Sequence, residues 1–246
     1  MKILTLTLSV FFILTSVYAQ KIEFSVQANS GMFSYAGRSA VSNALIHQSP
    51  QQVPNFTDNP YGDKSGFGYG GSFQAQAVCK SGFIAGLQAG YELLKSKVNI
   101  NQVLPQYNIE FDYLPNENFT SPPPLAAKGE TYLKNEFINV SPYIGYRINL
   151  EKLRLDLMPG VEWGFGLNTH EQGAATTTDG NNINVHTDLK RDKAPVDMRL
   201  KFGAAVIYNR FAINASYAHG VTNYQANLIG VTDFEVHSNV LRFGLS

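Results

Sequence analysis

Ten ionisable side chains recur at alternating positions of otherwise apolar segments: Glu23, Glu92, Arg147, Arg154, Asp156, Glu162, Asp197, Arg199, Lys201 and Arg242. In an extended chain, successive side chains point to opposite faces. Each of these groups therefore shares a face mainly with Gly, Ser, Asn or Gln, while the other face stays uncharged. Carboxylates and guanidinium groups collected in this way could line a narrow conducting path or pair with one another. Both signs are present, and enclosed charges must pair or stay hydrated, so a structural plug of mutual ion pairs is expected. Hydrolysis would need a nucleophile and a base on one face. His219 shares its face with Tyr217 and Val221, whereas Ser216 points the other way. His237 has Asn239 beside it, and His47, His170 and His186 fall in segments read as loops. The run Asp179-Gly180-Asn181-Asn182 lacks the spacing of an EF-hand loop and reads as a hairpin turn extending the fifth and sixth strands. No catalytic residue, cofactor or metal site is expected.

The elements that must position these charges are clearest between Phe137 and Leu167. Ile138, Val140, Pro142, Ile144, Tyr146 and Ile148 alternate with Asn139, Ser141, Tyr143, Gly145 and Arg147. After the polar stretch 149–152 the alternation resumes, with Leu153, Leu155, Leu157, Pro159, Val161, Trp163, Phe165 and Leu167 on one side. Two strands of about eleven and fifteen residues joined by a tight turn form a hairpin. Ordinary strands average about five or six residues. These are long enough to cross a bilayer, which takes about nine to eleven tilted residues. The uncharged face would meet lipid, and the charged face would point into a closed barrel.

The same alternation appears at Ile22–Met32, Phe67–Cys79, Phe83–Leu93, Pro195–Tyr208, Phe211–Ala218 and Val236–Leu245. Long polar connections are expected at Ser34–Gly66, Lys97–Thr131, Asn168–Lys193 and Gly220–Glu235. Short turns are expected at Lys80-Ser81, Leu150-Glu151 and Asn209-Arg210. The Ile109–Tyr113 patch could prolong a strand. Four long connections alternating with three short turns give an all-β, eight-stranded antiparallel up-and-down transmembrane β-barrel, with both termini on the short-turn side. Pro142 and Pro159 conflict with a continuous ladder. A loop at Leu150-Glu151 would set them opposite each other at a non-hydrogen-bonded site, each missing N–H facing the next strand, with a local bulge or bridging water.

The chain opens with Lys2, an apolar run from Ile3 to Val17, and Val17-Tyr18-Ala19. This reads as a secretory signal peptide over 1–19, leaving 20–246 as one barrel domain. Without Lys2, 18 basic residues face 19 acidic ones, which gives nucleic acid no electrostatic foothold. The single Cys79 excludes an internal disulfide, and its place on an apolar strand face suits an inert thiol. With 21 Gly, 29 Phe plus Tyr and 15% charged residues, the composition suits an all-β chain.

Three stretches resemble the PorT-like outer-membrane β-barrel family of Bacteroidota-type bacteria. They are the proline-containing strand Asn139–Arg147, the run Gly160-Val161-Glu162-Trp163-Gly164, and the hairpin Gly203–Gly220 ending in Ala215-Ser216-Tyr217-Ala218-His219-Gly220. The resemblance covers roughly the last 110 residues by motif and the first half by pattern. It implies an eight-stranded barrel in the outer membrane of a Gram-negative bacterium. The residues and the resemblance together lead to the expectation of a non-enzymatic structural, adhesive or secretion-accessory protein. Its partners would be outer-membrane lipid, the barrel-insertion machinery and envelope or secretion proteins. A lipid-modifying hydrolase and a soluble lipocalin-like periplasmic ligand binder are the alternatives.

Overall fold

A computed structural model describes residues 19–50, 53–106, 123–190, 196–225 and 234–246. The segment ahead of Ala19 read as a signal peptide, and the Ile109–Tyr113 patch, lie outside the described residues. Eleven strands are present among those described: β1 (Ala19–Ala36), β2 (Asn43–His47), β3 (Phe56–Thr57), β4 (Lys64–Cys79), β5 (Phe83–Leu104), β6 (Leu125–Leu150), β7 (Leu153–Thr177), β8 (Asn182–Lys190), β9 (Val196–Tyr208), β10 (Phe211–Gly220) and β11 (His237–Leu245). Eight of them, β1, β4, β5, β6, β7, β9, β10 and β11, pair in that order and close through β11 against β1, every pair antiparallel. This is the eight-stranded up-and-down barrel that the alternation predicts.

Which face is apolar on each strand is settled by exposure. Phe24, Val26, Phe73, Leu87, Ile144, Leu200, Phe202, Phe211 and Phe243 point outward and are exposed, whereas Glu92, Arg147, Asp156, Glu162, Asp197, Arg199 and Arg242 point inward and are buried. A soluble protein would invert this arrangement, because burying apolar area is what drives folding in water. The pattern fits a hydrocarbon surround.

Three tight connections gather at one end: Lys80–Gly82, Glu151-Lys152 and Asn209-Arg210. Left-handed backbone conformations reverse the chain there, at Gly82 (φ 89°), Glu151 (φ 30°) and Asn209 (φ 55°). The chain's C-terminal Ser246 sits at this end, exchanging backbone hydrogen bonds of 3.0 and 2.8 Å with Ala212. Ala19 pairs with Cys79 at the same end.

The hairpin turn lies one residue later than expected, which shifts the cross-strand pairing by two. Leu150 pairs with Leu153 around a Glu151-Lys152 turn, so Pro142 stands beside Val161 and Pro159 beside Ile144 instead of facing each other. Counting out from the hydrogen-bonded Leu150–Leu153 pair, both prolines fall at sites where an N–H would bond across the hairpin. Regular pairing lapses around Ser141-Pro142 and Ile144-Gly145 accordingly, with the register unchanged on either side. The missing donors thus face each other's strand, not the neighbouring ones. The bulge lies further on, between Glu136 and Phe137.

The end opposite the short turns is the larger departure. Parts of the stretches expected as loops are strand among the described residues: 34–36, 43–47, 56–57 and 64–66 in the first, 97–104 and 125–131 in the second, and 168–177 and 182–190 in the third. β5, β6 and β7 run well past the ends of their neighbours. Where β4 ends at Lys64 opposite Lys97, β2 takes over the edge of β5 in parallel, from Asn43–Asn99 to His47–Leu104, and β3 adds to β2. On the far side, β8 lies along β7 where β9 has ended. The resulting six-stranded sheet, β3-β2-β5-β6-β7-β8, draws its edges together. Asn55 Nδ2 donates to the Asn184 carbonyl at 2.8 Å, and the Thr57 hydroxyl donates to Glu171. It encloses an apolar cluster of Ala44, Ile46, Val98, Ile100, Val103, Ala175 and Val185, with Val41, Ala127 and Ile183 against them, and the buried Thr57 and Glu171 lie in the same sheet. His47, His170 and His186 accordingly lie in strands of this upper sheet. Asp179 and Gly180 (φ 87°) turn β7 into β8, as the hairpin reading had it.

Candidate functional site

The ten charges separate into two groups inside the barrel, each internally neutral. Near the short turns, Arg147 on β6 binds Asp156 on β7 through Nε and Nη2, both at 2.7 Å, and reaches across the lumen to both carboxylate oxygens of Glu23 on β1 at 3.0 and 2.8 Å. Arg154 completes the group at 3.5 Å from Glu23 and donates to the Asn209 carbonyl at 2.9 Å. Inside the barrel two anions meet two cations, and the exposed Lys21 adds a third at the rim, 3.1 Å from Glu23. Higher up, Arg199 Nε lies 2.6 Å from Asp197 and its Nη1 lies 2.8 Å from Glu162. Arg242 on β11 binds both oxygens of Glu92 on β5 at 2.6 and 2.8 Å, and Glu162 on β7 at 2.7 Å. Lys201 lies 3.3 Å from Glu162. Here three anions meet three cations.

Strands β11 and β5 are separated by β1 and β4, and β11 and β7 by β10 and β9. The Arg242 bonds therefore run across the lumen and tie opposite walls together. Bidentate, charge-assisted bonds of this kind are the strongest that side chains make. Arg199 is completely buried, and its guanidinium carbon also lies 4.8 Å above the centre of the Phe137 ring.

Neutral partners that the charge count alone missed connect the two groups. Lys201 donates to Gln88 at 2.6 Å, Gln88 to Gln27 at 2.8 Å, and Gln27 to Gln74 at 2.5 Å. Gln74 then donates to Gln76 at 3.0 Å, and Gln76 to Glu23 at 2.9 Å. Tyr143 Oη donates to Gln76 at 2.9 Å, and the hydroxyls of Tyr224 and Ser238 each donate to Asp197 at 2.7 Å. An amide presents both donors and an acceptor, so a glutamine ladder relays hydrogen bonding without adding charge. The glutamines stand on the same polar faces as the charges, and that alternation was the available signal. A polar cavity of about 50 Å³ remains among Gln27, Gln88, Glu92, Asn139, Lys201 and Arg242. A wider recess of about 450 Å³ opens at the short-turn end beside Glu23, Arg154 and Asp156.

Above the charges the barrel is stopped by an apolar plug of Phe33, Tyr35, Leu94, Leu133, Phe137, Ala218, Val236 and Val240. The Tyr35 ring meets Phe33, Tyr61 and Tyr224 edge-on at 5.0, 5.1 and 5.3 Å between centres. Such contacts add to the stabilisation from burial alone. Arginine-carboxylate ties and an apolar stopper follow one another along the described lumen.

His219 and Ser216 lie on opposite faces, as the alternation predicts. The histidine bonds Asn239 at 2.7 Å on the outside, while Ser216 borders the inner cavity. Cys79 is a free, half-buried thiol.

One titratable group of the upper sheet is set apart from the lumen. Glu171 is buried, and burial pushes its carboxyl above the ordinary glutamate range; the Thr57 bond opposes this and the nearby Asp58 charge adds to it. A raised value in the folded state means that this group's contribution to stability is full below 4.5 and is lost as pH rises through the raised value. Glu171→Gln is therefore expected to slow proteolysis at β3 at pH 7 and to make no difference below pH 4.5. A gain that persists unchanged in acid would point to some other cause.

The family model described as outer membrane protein beta-barrel domain matches residues 18–225. Among solved structures, the chain is similar to Neisserial surface protein A (NspA), with 12% identity, 92% of this chain and 97% of that chain covered, and a TM-score of 0.35. It is also similar to Ail, the attachment invasion locus protein of Yersinia pestis, solved with the heparin analogue sucrose octasulfate, with 11% identity, 92% and 97% covered, and a TM-score of 0.31. No curated protein matches the chain.

Proposed function

The chain belongs to the outer membrane β-barrel family, and on that premise we propose that it is a non-conducting, non-enzymatic barrel whose working part is the sheet it holds above the membrane. The observation that carries this reading is the pair of neutral, mutually bonded charge groups beneath an apolar plug. A transport path needs hydrated, unpaired lining groups. In this chain the inward charges are spent on one another.

The long-strand end is assigned to the cell exterior and both termini to the periplasm, because small barrels of this membrane keep short turns inside and long connections outside. The upper sheet is then a rigid platform with its own core, suited to structural, adhesive or secretion-accessory contacts with envelope or external partners. Within the family, the PorT-like affiliation rests on the Asn139–Arg147, Gly160–Gly164 and Gly203–Gly220 motifs. The opposed faces of Ser216 and His219 favour this reading over a lipid-modifying hydrolase.

In planar bilayers the purified protein is expected to give no stable single-channel steps. Sustained large conductance would overturn the closed-lumen reading. In cells, Gly180→Cys in a Cys79→Ala background is expected to react with a membrane-impermeant maleimide, and Lys152→Cys is not. The reverse pattern would invert the orientation.

A further inference from the structure

On the outward face, the apolar surface of β5 and β6 ends in a row of lysines. Tyr91 and Leu93 on β5 and Ile138 and Val140 on β6 face outward, with Tyr91 and Ile138 well exposed. Two residues beyond Leu93, about 7 Å along the strand, Lys95 stands directly opposite Lys134. One step further, Lys97 faces Tyr132 on one side and Lys64 on the other.

Like charges directly opposite each other in a sheet repel, because directly opposed side chains start only about 5 Å apart. The protein neutralises this cluster only in part. Glu130 takes Lys97 at 3.1 Å. Glu136, the other carboxylate on this face, is held by Asn168 Nδ2 at 3.1 Å, by Tyr91 and, at 3.8 Å, by His170. Lys64 also feels the Glu130 charge, whereas among the described residues no carboxylate lies within salt-bridge distance of Lys95 or Lys134. The Lys134 ammonium is drawn below the ordinary lysine value by partial burial and by Lys95 across from it.

We propose that Lys95 and Lys134, with Lys64 and Lys97 beside them, form a binding site for the phosphate-bearing headgroup of an outer-leaflet lipid, whose acyl chains lie along Tyr91, Leu93, Ile138 and Val140. One molecule with both parts satisfies both surfaces. The phosphate supplies the anion that the protein withholds, and the hydrocarbon covers the exposed apolar wall directly below. The assignment to the outer leaflet rests on the orientation proposed above; the lysine row itself does not.

The test uses full-length protein in nanodiscs of phosphatidylcholine doped with phosphatidic acid, a phosphomonoester lipid, with co-purified lipid counted by native mass spectrometry after detergent exchange. The parent is expected to retain phosphatidic acid in preference to phosphatidylcholine. Lys95→Gln/Lys134→Gln is expected to lose that preference about twenty-five-fold, since each lysine near an anionic surface contributes about a factor of five. Lys80→Gln/Lys152→Gln, which removes two cations at the short-turn end, is expected to leave it unchanged. Equal retention in the Lys95/Lys134 variant, or loss of lipid to an equimolar amount of inorganic phosphate, would overturn the site. Maleimide labelling in cells reads the orientation separately, so a reversed barrel that still retains phosphatidic acid would refute the leaflet and spare the site.

Discussion

Arg199→Met is expected to lower the stability of the folded barrel by about 3–5 kcal/mol, the cost of leaving buried charge without its partner. Arg199 is fully buried and is the direct cationic partner of Asp197 at 2.6 Å and of Glu162 at 2.8 Å. Methionine fills much of the volume but supplies no proton donor. Asp197 would keep only the Tyr224 and Ser238 hydroxyls, and the upper group would fall from three cations against three anions to two against three. Lysine should restore only part of the loss, because one ammonium cannot reproduce a fork aimed at two carboxylates. Arg154→Gln is the control: its side chain is 30% exposed and 3.5 Å from Glu23, so a change within about 0.5 kcal/mol is expected. Urea unfolding in lipid vesicles, followed through the single Trp163, gives both values. If Arg199→Met costs less than about 1 kcal/mol, water reaches the network and the lumen is not sealed.

Ile46→Asp is expected to open the upper sheet and leave the barrel closed. Ile46 is completely buried among Ala44, Val98, Ile100, Val103 and Val185. An unpaired carboxylate placed there costs several kcal/mol. The damage should stay local because β2 and β3 contribute nothing to the closed eight-strand circuit, and the core they cover shares no residue with the plug below. Trypsin should then cut near Lys64 and Lys97, while the unheated protein still migrates as a compact band on a denaturing gel. Loss of that band would show that barrel and upper sheet unfold as one unit.

These two substitutions also divide what could be read in the chain from what could not. Strand existence, the outward and inward face of each strand, and all ten lumen charges are period-two properties. A local window of sequence contains them, because side chains alternate along any extended segment wherever its partner lies. The hairpin turn was legible only to within one residue, and its pairing only to within two. Leu150-Glu151 and Glu151-Lys152 are both tolerable turns, and nothing local separates them; pairing along the whole of β6 and β7 does.

The upper sheet was read as loops because its Pro, Asn and Gly residues give strong turn signals, whereas its decisive contact is non-local. β2 lies parallel to β5 some fifty residues away, in the place that β4 vacates at Lys64. Sequence alone therefore determined a lipid-facing barrel with a charged interior. The tertiary structure decided which charge meets which across the lumen, where the barrel is stopped, and that Lys95 and Lys134 share a row. The physical reason is that face is a property of one strand, while pairing and closure depend on where every other strand comes to rest.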